Sequence, residues 1–154
     1  MKKNALFPGS FDPITLGHFD IIQRALPLFD KIIIGIGINS SKNYLFSLPQ
    51  REQWIKDCFK NNPQIEIVHY SGLTVDVCKK HDIHFILRGL RTTNDFDFER
   101  AIAHINHCLE PSVETVFLLT SQEYASISSS IVRDIIINGG DASKFLPVAV
   151  KINQ

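Results

Sequence analysis

Residues 6–22 read LFPGSFDPITLGHFDII, and the reading of this stretch decides the fold. It opens apolar, as a strand does. Two prolines, two glycines, a serine, an aspartate and a histidine then crowd into a turn before a helical repeat begins, with Phe19, Ile22, Ala25, Leu26 and Phe29 on one stripe. Strand, polar turn and amphipathic helix form the first half of a crossover unit, and the rest of the chain repeats the pattern. Apolar runs predict strands over 4–7, 31–38, 64–70, 83–87 and 114–120. Helical spacing predicts helices over 18–29, 50–59, 75–81, 96–109 and 129–138, the last stopped by Gly139-Gly140. The β-branched run KIIIGIGI, residues 31–38, suits a strand with no solvent face. The expected fold is therefore α/β: one Rossmann-like domain over 1–154, a parallel five-stranded sheet with helices on both faces.

Composition fits one core and excludes several function classes. A chain of 154 residues buries about two-thirds of its unfolded surface. Lysine plus arginine equals aspartate plus glutamate, 16 against 16, so no overall field draws the protein onto nucleic acid or an anionic membrane. Apolar runs are far shorter than the ~20 residues that span a bilayer, and no signal peptide precedes the first strand, so the cytoplasm is the expected location. Cys58, Cys78 and Cys108 are odd in number and widely spaced, which points to buried thiols and not to a disulfide framework or a zinc site. His104 and His107 stand three apart, but no further Cys or His completes a metal site. The metal-ligand expectation from the sequence is none.

In open parallel sheets, ligands bind beyond the carboxyl ends of the strands, where helix N-termini converge. The post-strand segments carry Gly9, Ser10, Thr15, Gly17 and His18 after the first strand, 39–42 with Lys42 after the second, and Ser71, Gly72 and Thr74 after the third. RGLRT, 88–92, follows the fourth strand, and SQEYASISSS, 121–130, the fifth. Every cluster of Ser, Gly, Arg, Lys and Thr thus lands on one rim. Arginine, lysine, hydroxyls and backbone N–H groups together make an anion site for a ligand with several phosphates.

The first loop is neither GxGxxG nor a P-loop, which disfavours dinucleotide oxidoreductases and P-loop ATPases. Instead, Thr15-Leu16-Gly17-His18 puts a histidine on the first turn of a helix. The macrodipole there disfavours an imidazolium, so a neutral ring would donate one hydrogen bond to a phosphate oxygen. Gly17 would let a ligand approach the backbone closely. Taken alone, TLGH equally fits a histidine that merely begins a helix. Asp12 is expected to fix the turn before Pro13, because a second anion beside phosphates is unfavourable.

These residues carry a resemblance. PGSFDPITLGH resembles the (H/T)xGH signature of the nucleotidylyltransferase superfamily, and ISSSIVR, 127–133, resembles its second motif, ISSTxxR. With RGLRT and DFDFE, 95–99, the chain is most similar to the bacterial branch that adenylylates 4′-phosphopantetheine, and the similarity extends to FLP at 145–147. Ser130 stands where the superfamily often has threonine, and Phe98 where the branch often has tyrosine.

The resemblance implies adenylyl transfer from ATP to 4′-phosphopantetheine, giving dephospho-coenzyme A and pyrophosphate in coenzyme A biosynthesis. It implies His18, Lys42 and Arg91 as catalytic residues, and Ser10, Lys42, Thr74 and Arg88 as the binding set for the acceptor. It implies ATP contacts from Ser10, Phe11, His18, Gly89, Leu90, Arg91, Glu99, Tyr124, Ala125, Ser126, Ile127, Ser128, Ser129 and Ser130. Magnesium (Mg2+) accompanies ATP, held mainly by phosphates and water, since no carboxylate cluster announces a metal cage. A homohexamer and feedback binding of coenzyme A are further implications.

Other readings share the same motifs. A nicotinate-mononucleotide adenylyltransferase or a cytidylyltransferase would keep His18 and the serine motif but differ at Lys42, Thr74 and RGLR. A non-catalytic binder of ATP or coenzyme A would be expected to lose His18 or Lys42 first, and both are present. A fragment of a class I tRNA synthetase, whose HIGH motif is related, is disfavoured by the neutral charge.

Overall fold

The computed structural model describes residues 2–152. β1 (Asn4–Gly9) feeds through the quoted turn into α1 (Leu16–Ala25), and the alternation continues through β2 (Lys31–Gly37), α2 (Leu48–Cys58), β3 (Ile65–Tyr70) and α3 (Thr74–Lys80). β4 (Phe85–Leu90), α4 (Thr93–Leu109), β5 (Glu114–Leu119) and α5 (Ser129–Ile137) complete it. The five strands pair in parallel, in the order β3-β2-β1-β4-β5. The chain therefore reverses its direction of growth at β1 and β4, and a crevice opens beyond their carboxyl ends.

Alternation along the central strands sends side chains into two cores. Ala5, Phe7, Ile32, Ile34, Ile36 and Leu87 pack with Ile21, Ile22, Trp54, Ile55 and Val132 of α1, α2 and α5 on one face. Leu6, Ile33 and Ile86 pack with Val77 and Cys78 of α3 on the other. Burial on both faces over residues 32–36 explains the unbroken β-branched reading of this strand, while Ile38 beyond its end is exposed. The tail returns to the first core through Ala142, Leu146 and Val150.

Several boundaries differ from the sequence expectation. α1 ends at Ala25 and tightens into a 3₁₀ turn over Leu26–Leu28, because Pro27 has no N–H to continue the helix. α4 starts at Thr93, where the Thr92 hydroxyl accepts from the Asp95 N–H. β4 runs to Leu90, since Arg88, Gly89 and Leu90 pair with Phe117, Leu118 and Leu119 of β5. Arg88 thus stands on a strand, and only Arg91 and Thr92 belong to the following loop. The three thiols also differ: Cys78 is buried, Cys58 half-buried, and Cys108 exposed on the outer face of α4. No helix among the described residues is long and apolar enough to cross a membrane.

Candidate active site

Two cavities open beyond the carboxyl ends of the strands. The larger, of about 680 Å³, is lined by Ser10, Lys42, Thr74 and Arg88, the four residues expected to meet the acceptor. The smaller, of about 300 Å³, is lined by His18, Gly89, Arg91, Glu99 and 127–130. Pro8, Gly9, Arg88 and Glu99 belong to both walls, so the cavities meet across them. Five residues implied for ATP lie off both linings: Phe11, Leu90, Tyr124, Ala125 and Ser126.

His18 is oriented by its own helix cap. Thr15 precedes α1; its hydroxyl accepts from the His18 N–H, while its own N–H donates to Nδ1 of the His18 ring at 3.1 Å. The histidine fills the place that glutamate takes in the usual capping box. With Nδ1 accepting, the neutral ring carries its proton on Nε2. Burial pushes the imidazole down to about 4, and the charges of Arg88 and Arg91 act in the same direction. The rings of Phe11 and Phe7 meet it edge-on, with Phe11 at 5.2 Å between centroids.

Gly17 lines the smaller cavity, and a Cβ there would come no closer than 3.7 Å to any protein atom. Packing does not demand glycine at this position. The open side leaves room for a ligand to approach the backbone.

Both arginines of RGLR are held in fixed poses. Nε and Nη2 of Arg88 donate to the two carboxylate oxygens of Glu99, and Nη1 donates to the Pro8 carbonyl at 2.7 Å. The Arg88 guanidinium, carried on β4, therefore finds its partner in Glu99, a residue that is itself only 9% exposed. Arg91 donates from Nε to Asp95 at 3.0 Å and from Nη1 to the Ile127 carbonyl. Burial would raise the Asp95 carboxyl, but hydrogen bonds and charge from Arg91 hold it below the usual carboxylate range. Each fork keeps N–H donors to spare for an anion.

The serine motif opens α5. The Ser128 hydroxyl accepts from the Ile131 N–H, Ser129 donates to the Pro13 carbonyl, and Arg133 donates to the Asp12 carbonyl and to Ser130. These contacts tie α5 to the first loop, so the two motifs form one wall. Asp12 does more than fix its own turn: its carboxylate accepts from the N–H groups of Leu45 and Phe46, both at 2.9 Å, and anchors the loop that carries Lys42.

Sequence reasoning named Thr15 and Asp95 only as parts of motifs, without a role, and passed over Arg51. Thr15 and Asp95 were readable in principle, from T-x-x-H as a cap variant and from an aspartate four residues after Arg91. No group of three or more His, Cys, Asp or Glu side chains among the described residues is placed to hold a metal ion. The carboxylates of the smaller cavity, Asp95 and Glu99, are both paired with arginine.

Residues 6–135 match the cytidylyltransferase-like family. The phosphopantetheine adenylyltransferase of Flavobacterium psychrophilum is 57% identical, covering 97% of this chain and 99% of its own. That of Bacteroides thetaiotaomicron is 44% identical over 98% of this chain and 99% of its own. In fold, the chain is similar to a bifunctional NMN adenylyltransferase/ADP ribose pyrophosphatase of Francisella tularensis, solved with AMP and a manganese ion. The TM-score is 0.71 at 18% identity, over 95% of this chain and 44% of that one.

Proposed function

We propose, for this chain, which belongs to the phosphopantetheine adenylyltransferases of the cytidylyltransferase-like family, a mechanism of positioning and charge neutralisation without a covalent enzyme intermediate. The reaction is adenylyl transfer from ATP to 4′-phosphopantetheine, a step of coenzyme A biosynthesis. The single observation that supports the division of labour is the pair of cavities meeting at Arg88 and Glu99, with neutral His18 on the wall of the smaller one.

Phosphopantetheine occupies the larger cavity, its phosphate near Ser10, Lys42 and Arg88 and its arm along Thr74. ATP occupies the smaller one, with its β- and γ-phosphates at the opening of α5, where the Ser129 and Ser130 hydroxyls and free N–H groups converge. An oxygen of the acceptor phosphate attacks the α-phosphorus, and the bond to the bridging oxygen of the departing pyrophosphate breaks. The attacking phosphate oxygen is already anionic, so no general base is needed. Nε2–H of His18 donates to an α-phosphate oxygen as charge builds there, while Lys42 and Arg91 neutralise the phosphates. Glu99 aims Arg88 and turns its remaining lone pairs towards ATP. Backbone groups of Ser10-Phe11, Gly89 to Arg91 and Tyr124 to Ile127 complete the nucleotide site.

Magnesium enters with ATP as part of the substrate, where it screens the triphosphate charge. The site suits an ion held by phosphates and water, because its carboxylates are committed to arginines. The chain acts as one unit in the cytoplasm, with coenzyme A competing for the substrate cavities. The oligomer is read as a homohexamer by family resemblance, and α4, which leaves Phe98 68% and Ile105 60% exposed, offers an apolar face to a second copy. The test is pyrophosphate release with ATP and magnesium, offering phosphopantetheine, nicotinate mononucleotide or glycerol 3-phosphate, and repeating with CTP. Turnover only with ATP and phosphopantetheine is expected. Turnover with a different acceptor would overturn the assignment of the larger cavity.

A further inference from the structure

One buried guanidinium takes no part in the reaction as described. Arg51, in the first turn of α2, is only 2% exposed. Its Nη1 donates to the Ser10 carbonyl at 2.6 Å and its Nε to the Phe46 carbonyl at 3.2 Å. Its guanidinium carbon lies 4.1 Å from the centre of the Tyr44 ring. All three partners are neutral, so the buried cation is solvated by two carbonyls and a π-face. A methionine of similar length would fill the space but would leave the Ser10 and Phe46 carbonyls without this donor, so the arginine ties together two segments that an apolar side chain would not join.

Its partners explain it. Ser10 begins the turn that leads to His18, while Tyr44 and Phe46 end the loop that carries Lys42. Lys42 sits in an exposed segment whose own internal bonds are short-range, from Lys42 N–H to Asn39 and from Ser41 to Asn39. Its place over the larger cavity is therefore set by the anchored end of the loop. Tyr44 ties that end to Gly37 and Asn39, and Asp12 ties it to Leu45 and Phe46. Arg51 grips the loop and the Ser10 turn at once from beneath.

We infer that Arg51 is a positioning residue for the acceptor phosphate, locking the Lys42 loop onto the Ser10 turn so that both sides of the larger cavity stay in register. This rests on the reading of Ser10 and Lys42 as phosphate-binding residues. No residue of 38–46 lines the smaller cavity, so the effect falls mainly on the acceptor, although the Ser10 carbonyl that Arg51 holds belongs to a turn also given to the nucleotide.

The test is steady-state kinetics of Arg51→Met in the wild-type and Lys42→Ala backgrounds, varying phosphopantetheine and ATP in turn. Arg51→Met is expected to lower kcat/KM for phosphopantetheine about tenfold or more, as a small misplacement of a positioned charge does. KM for ATP stays within about twofold. In the Lys42→Ala background most of the Arg51 effect disappears, because the two residues act as one unit. A uniform loss for both substrates, repeated in full without Lys42, would mean that Arg51 only holds the fold, and would overturn the inference. Wild-type phosphopantetheine kinetics in Lys42→Ala alone would instead overturn the phosphate-binding reading of Lys42, and the inference with it. Should Arg51→Met fail to fold, Arg51→Lys carries the same test, since it keeps the charge and stem but loses the fork and the stack.

Discussion

The backbone N–H of Thr15 donates to Nδ1 of His18 at 3.1 Å, so the residue that caps α1 also sets the tautomer of the ring that faces the smaller cavity. Helix geometry and chemistry are coupled through one hydrogen bond. A ring free to rotate would present either nitrogen; this one presents Nε2–H.

The tautomer is directly observable. Nitrogen-detected imidazole spectra of the free protein should show His18 neutral and protonated on Nε2 from pH 8 down to about 5, since its pKa is pushed down to about 4. A His18 signal titrating near the ordinary value of 6.5 would contradict the half-buried, cap-bound ring.

The same depression makes stability depend on pH. Unfolded chains take up a proton on this histidine near 6.5, whereas the folded protein resists it until about 4. The contribution is therefore whole above about pH 6.5 and is lost as pH falls through that window towards 4. Urea unfolding of the wild type and of His18→Gln at pH 7.5 and 4.5 should show the wild type losing roughly 2–4 kcal/mol more on acidification. Equal losses would mean that His18 protonates freely in the folded state.

Gly17→Ala separates folding from function. The added Cβ meets nothing closer than 3.7 Å, and alanine favours the helix by about 1 kcal/mol, so stability should hold or rise. KM for ATP should rise about tenfold if the nucleotide uses that space. Unchanged ATP kinetics would show that the nucleotide does not approach the backbone there.

Glu99→Gln tests the wall between the cavities. Arg88 loses a two-pronged carboxylate partner in a half-buried setting, which should cost about 1–3 kcal/mol in urea unfolding. Both KM values should rise, because Arg88 and Glu99 line both cavities. A change confined to ATP would show that the pair does not aim Arg88 at the acceptor.

The sheet was legible because its strands are short apolar runs, β2 being β-branched and buried on both faces, and the rim was legible because a parallel sheet gathers its post-strand segments at one end. What escaped depended on distant pairings. Gly89 and Leu90 read as loop residues until β5 supplies their partners. Arg88 plainly needed a counter-charge, but that Glu99 provides it follows only from the packing of α4 against β4. Arg51 looks like any helix arginine in sequence, and it is buried only because two loops from other parts of the chain close over it. Asp12 was readable as a turn residue, yet its bonds to the Leu45 and Phe46 N–H groups join segments more than thirty residues apart.

The most direct test of the mechanism is to measure pyrophosphate release by His18→Ala beside its affinity for ATP. Loss of about 100-fold or more in kcat, with ATP affinity within a few-fold of wild type, is the predicted result for a donor that acts on the transition state. Retained turnover, or a loss explained wholly by weaker ATP binding, would contradict the role given to the Nε2 proton.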